Sequence, residues 1–93
     1  MKTEKELTNQ LKSEGYHKVY SWEDGPNEED PTHTHDFDTK LIILNGELEI
    51  EMKGQKILLK QGESIEIPRE EVHAAITSPN GCKYLVGERH QTQ

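Results

Sequence analysis

Three histidines carry the chemistry legible in this chain: His33 and His35, one residue apart, and His73, which follows Gly62 and Pro68. Imidazoles at i and i+2 of an extended strand point to the same face, so His33 and His35 can grip one ion together, and His73 would complete a facial triad. Neutral imidazole suits zinc, iron, nickel and copper, and three protein ligands leave positions open for water or a substrate. Asp36 and Asp38 stand beside the pair, each a candidate for a fourth ligand or for an acceptor that fixes an imidazole tautomer. His17 and His90 fall in no such pattern and read as surface residues.

These side chains need strands to hold them. THTHDFDTKLIILNG, residues 32–46, turns from polar to apolar and stops at Asn45-Gly46, so it reads as a strand entering a hairpin turn. ELEIEM, residues 47–52, alternates strictly, with Leu48, Ile50 and Met52 on one face and three glutamates on the other. Further strands are expected at 56–60, at 64–67 up to Pro68, at 71–77, and at 82–87 after the turn Ser78-Pro79-Asn80-Gly81. YHKVYSW, residues 16–22, reads as the first strand, and EDGPNEEDP, residues 23–31, as an acidic loop whose carboxylates face solvent. Residues 2–15 place Leu7 and Leu11 one helical turn apart before Gly15, which predicts either a short helix on the sheet or a frayed arm. Short strands divided by Gly and Pro turns make an antiparallel sandwich or barrel.

At this point the chain resembles the cupin superfamily, small jelly rolls of the double-stranded β-helix type, over roughly residues 22–87. The family's first motif is a glycine, His-x-His, three or four residues, a glutamate, six residues and a glycine. His33, His35 and Gly46 fit, Gly25 stands further from His33 than the pattern asks, and Thr39 occupies the place of the glutamate ligand. The second motif is a glycine, five residues, Pro-x-Gly, two residues, His, three residues and Asn. Gly62, Pro68 and His73 fit, while Glu70 replaces the second glycine and Thr77 the asparagine. The resemblance implies an all-β cupin jelly-roll β-barrel preceded by the helix or arm. Its divisions would be an arm over 1–18, one cupin domain over 19–88 and a tail over 89–93. It also implies a mononuclear divalent metal (iron, zinc, nickel or manganese) on His33, His35 and His73, inside a pocket lined by Leu41, Ile43, Ile50 and Ala75.

Without the glutamate, three neutral imidazoles and a divalent ion carry a net charge of about +2, which favours a small anionic, chelating ligand. Three functions follow: an Fe(II)-dependent dioxygenase, a Lewis-acid isomerase or lyase, and a non-catalytic module that binds a small ligand or senses metal. The Lewis-acid route needs a general base, for which Asp38 and Glu70 are the nearby candidates. Tyr20, Trp22 and Tyr84 read as core or dimer contacts, or else as the pocket mouth, and Lys40 and Arg69 as surface charges.

A chain of 93 residues makes one domain, small enough that a homodimer is expected. The formal charge of -7 argues against a nucleic-acid partner, and no apolar run approaches a membrane span. The single Cys82, expected as a small buried hydrophobe, and the lack of a secretion signal point to the cytoplasm.

Overall fold

The computed structural model describes residues 2–90. Of the expected tail over 89–93, residues 91–93 lie outside the described residues. The N-terminal segment is a helix rather than an arm, α1 (Glu4–Ser13), and its ends show why. The Thr3 hydroxyl accepts the Glu6 N–H at 3.1 Å while the Glu6 carboxylate accepts the Thr3 N–H at 2.9 Å, so two otherwise orphaned donors are satisfied together. Leu7 and Leu11 then bury against Tyr16, Ile42 and Leu85 on the outside of the barrel.

Among the described residues, six antiparallel strands follow: β1 (Lys18–Asp24), β2 (Glu29–His33), β3 (Asp38–Met52), β4 (Gln55–Leu59), β5 (Ser64–Ile67) and β6 (His73–Arg89). β3 and β6 are long and pair with each other on both sides of a bend. On one side of the bend, Thr39–Ile42 of β3 take β5 as their other neighbour, and Cys82–Glu88 of β6 take β1. On the other side, Leu48–Met52 of β3 take β4 while the His73 end of β6 takes β2. Two four-stranded layers therefore share two strands, β1-β6-β3-β5 and β2-β6-β3-β4, which is the jelly-roll arrangement. Leu41, Ile43, Leu48, Ile50, Leu59, Ile67, Tyr84 and Val86 point between the layers and form the core.

The bend corrects two sequence expectations. Asn45-Gly46 is no hairpin turn: β3 runs through it, with the register against β6 shifting on either side. Gly46 has φ +81°, and a Cβ there would collide with the Gly81 carbonyl oxygen. The Asn-Gly pair signals a residue with positive φ, which a bulge and a hairpin turn both require. Likewise Ser78–Gly81 do not separate two strands. They stand within β6 opposite Glu47 alone, because Thr77 pairs with Leu48 and Cys82 with Gly46. The acidic stretch 23–31 is also less of a loop than expected, since β1 extends to Asp24 and β2 starts at Glu29. Among the described residues, no helix is long and apolar enough to cross a membrane.

Candidate metal centre

His33 closes β2 and faces His73, the first residue of β6, across the ladder. His35 lies beyond the end of β2, in the connection to β3, so the two histidines do not share one continuous strand as their spacing suggested. The connection still returns the His35 ring to the pair, with Nε2 of His33 and Nε2 of His35 3.1 Å apart. The candidate ligand atoms of His33, His35 and His73 all lie within 4.8 Å of one another.

Backbone carbonyls orient two of the rings. Nδ1 of His33 lies 2.6 Å from the Pro31 carbonyl and Nδ1 of His73 2.9 Å from the Glu71 carbonyl. A carbonyl can only accept, so each Nδ1 carries the proton and each Nε2 keeps its lone pair for a metal. Burial, and then the neighbouring His33 and His73, push the His35 pKa down, which favours the neutral form a metal needs. Nitrogens bound at about 2 Å to one ion stand roughly 3–4 Å apart, and the 3.1 Å separation fits.

The triad opens into an interior cavity of about 490 Å³, of the size that holds a small molecule. Leu41, Leu48, Ile50, Ile67, Ala75 and Val86 supply its apolar wall. Its polar wall includes a carboxylate that the sequence reading passed over. Glu88 is only 6% exposed, accepts the Tyr20 hydroxyl at 2.6 Å and the His90 Nε2–H at 2.7 Å, and has Lys18 Nζ at 3.7 Å. Burial alone would raise its pKa, but the Tyr20 and His90 hydrogen bonds together with Lys18 outweigh it and hold the carboxyl below its usual range. Tyr20 is pushed up to about 12 by burial and by Glu88. Strand alternation was the available signal: Tyr84, Val86 and Glu88 share a face of β6, but the strand was expected to stop at Gly87.

The other expected site residues fall as follows. Thr39 lines the cavity, 6% exposed, and among the described residues its Oγ1 has no hydrogen-bond partner. Asp38, next to it, is turned away from the cavity. Its carboxylate accepts the Arg69 N–H at 2.9 Å and pairs with Arg89 at 3.3 Å, and these contacts hold its pKa down. Asp36 is exposed, as is Glu70, which sits in a turn with φ +64°. Neither belongs to the cavity lining. Leu41, Ile50 and Ala75 line the cavity, whereas Ile43 is fully buried in the core and does not reach its wall.

Aromatic residues expected as core or dimer contacts, or else at the pocket mouth, and acidic residues expected to face solvent border the same cavity. Tyr20, Trp22 and Tyr84 all line the cavity, and both oxygens of Asp24 are taken, by Trp22 Nε1 at 2.7 Å and by the Tyr84 hydroxyl at 2.9 Å. Glu28 and Asp30 line the same cavity. His90 is no isolated surface residue, for its ring lies 4.4 Å from Phe37, which in turn stacks on His35 at 4.8 Å. Cys82 is buried, with its thiol pushed up to about 11 chiefly by burial, so it packs as a small apolar side chain.

Fold and site together define a class: a two-layered antiparallel jelly roll with clustered imidazoles opening on its interior cavity. Residues 20–86 match the family model described as "Cupin domain", and the chain belongs to the cupin family. It is similar to a crystallised protein of unknown function from Rhizobium leguminosarum (19% identity, TM-score 0.73, covering 78% of this chain and 69% of that one). A cupin-2 domain containing protein from Shewanella frigidimarina is 28% identical, with TM-score 0.64 and coverage of 73% and 65%. The polyketide cyclase RemF from Streptomyces resistomycificus is 28% identical, with TM-score 0.68 and coverage of 81% of this chain and 56% of that one. No curated protein matches the chain.

Proposed function

We propose that this protein binds one divalent transition metal (iron, zinc, nickel or manganese) through His33, His35 and His73 and acts on a small molecule held in the adjoining cavity. The carrying observation is the convergence of the three imidazoles within 4.8 Å. Such an ion supplies Lewis-acid polarisation, or redox chemistry if it is iron. Three neutral ligands would leave the ion's charge uncompensated, which favours an anionic group on the small molecule. His33 and His73 hold their rings through Pro31 and Glu71, the apolar wall excludes water, and Glu88 supplies the carboxylate that acid–base chemistry in this cavity requires. That carboxylate favours a Lewis-acid enzyme over an oxygenase or a silent binder. The likeness to a polyketide cyclase supports a small organic substrate. We also infer a homodimer, since β1 ends the sheet order with Trp22 54% exposed, and a cytoplasmic setting, since Cys82 is a free thiol.

Elemental analysis of protein purified without an affinity metal column tests the metal. Near one mole of zinc, nickel or manganese per chain is the expected result. Stoichiometric iron would move the reading to the oxygenase, and no metal, with no uptake of any ion offered, would overturn it. Light scattering in solution tests the dimer: a monomeric mass refutes it.

A further inference from the structure

The charge around the cavity points to the class of ligand. Its wall carries Asp24, Glu28, Asp30 and Glu88 and, among the described residues, no lysine or arginine. Lys18 reaches Glu88 from a side chain that is 62% exposed, outside the lining. Even with Lys18 offsetting Glu88, four carboxylates against a divalent ion on neutral imidazoles leave the cavity negative as a whole, a field that opposes a dianion. Two groups within it have unused capacity. Among the described residues, each Glu88 oxygen accepts one hydrogen bond, from Tyr20 or His90, where a carboxylate oxygen can take two. Thr39, the register partner of Glu88 across β3 and β6, is equally buried, lines the same cavity and, among the described residues, leaves its hydroxyl without a partner. A buried hydroxyl in that state is unusual and calls for a partner.

On the premise that the three histidines hold a metal, we propose that the cavity takes a small zwitterion, with its anionic group on the metal and its ammonium group against Glu88 and Thr39. The ammonium donates to the Glu88 carboxylate and the Thr39 hydroxyl, and the apolar wall of Leu41, Ile50 and Val86 accommodates the carbon chain between the poles. Tyr20 and His90 position Glu88 by occupying one lone pair on each oxygen and, with Lys18, favour its ionised form. The anionic ligand expected from the histidines alone describes one end of this molecule. The wall carboxylates describe the other.

The test is calorimetric titration of the zinc-loaded protein with glycine, β-alanine and γ-aminobutyrate, against acetate, propionate, butyrate and succinate. At one chain length the amino acid is expected to bind about tenfold or more tightly than the matching acid, and succinate more weakly than that amino acid. Glu88→Gln is expected to erase the preference. Thr39→Val keeps the shape and deletes the hydroxyl, so it should reduce the preference severalfold without lowering Tm, whereas a purely structural hydroxyl would move Tm and leave the preference intact. Equal affinities for amino acid and plain acid, tightest binding of succinate, or a preference surviving both substitutions overturns the proposal. Zinc uptake by the wild type is measured first. A chain that takes up no metal overturns the metal reading and the anionic pole with it, whereas one that loads zinc but shows no preference overturns the zwitterion alone.

Discussion

The two faces of the layer β1-β6-β3-β5 are built from the same strands and do opposite work. On the outer face, Ile42 and Leu85 pack under Leu7, Leu11 and Tyr16, with Lys40 tied to Glu14 at 2.8 Å and the Tyr16 hydroxyl to Glu66 at 3.1 Å. On the inner face, reached by moving one residue along β3 or β6, Thr39, Leu41, Val86 and Glu88 border a cavity, and the buried Thr39 hydroxyl has no partner among the described residues. The outer face spends its residues on burial and pairing, while the inner face keeps space and polar capacity. Stability and binding should therefore separate by residue parity along a single strand.

The largest effects test that separation from both sides. Replacing His33 and His73 together by alanine should abolish stoichiometric metal, read by elemental analysis, while far-UV circular dichroism still reports the folded barrel, because β3 and β6 pair independently of the rings. Unfolding of that variant would make the centre structural instead. Leu11→Ala should do the reverse. Leu11 is fully buried, so its truncation should cost about 2–5 kcal/mol in denaturant unfolding. Metal stoichiometry below the melting transition should stay unchanged; a loss of metal there would show the two faces to be coupled.

A smaller effect sharpens the inner face alone. Thr39 points into the cavity from the position where the family's first motif has a glutamate, so Thr39→Glu should tighten divalent metal binding by about tenfold, measured by competition with a chelator. Unchanged or weaker binding would mean that this carboxylate cannot reach the ion, and that the register counted back from Gly46 does not describe the site.

How far the sequence was legible follows from what its signals report. The histidine spacing and the turn glycines carried the fold and the triad, since motif order survives bulges and bends. Strict alternation identified the Leu48, Ile50 and Met52 face, because burial there is one-sided. What was missed lies where a strand outlasts its apolar residues. Asp24 and Glu88 each extend a strand beyond the last hydrophobic side chain, so the pattern ended before the residues that finish the cavity. Positive φ at Gly46 and Gly81 was readable, but whether it serves a turn or a bulge depends on pairing with a strand far away in sequence. Likewise the contact of His90 with Glu88 forms only once β6 is carried past Gly87.

The smallest expected effect concerns Asp38, the inner-site candidate that the fold turns outward. Hydrogen bonds from the Arg69 N–H and, with its charge, from Arg89 hold the Asp38 pKa below its usual value. A carboxylate depressed in the folded state adds stability that is present above its unfolded pKa and is lost as pH falls through the folded one. Asp38→Asn should therefore lower stability near neutral pH by less than about 1 kcal/mol, since the pair is partly exposed, and the gap between variant and wild type should close as pH drops below the carboxylate range. Urea unfolding of the metal-free proteins across the acid range measures this. The same variant should bind metal as the wild type does, because the Asp38 carboxylate is committed to the two arginines and is not part of the cavity wall. If Asp38→Asn lost metal instead, the carboxylate would have to leave both arginines to become a fourth ligand, and the division between the two faces of β3 would fail at the residue next to Thr39.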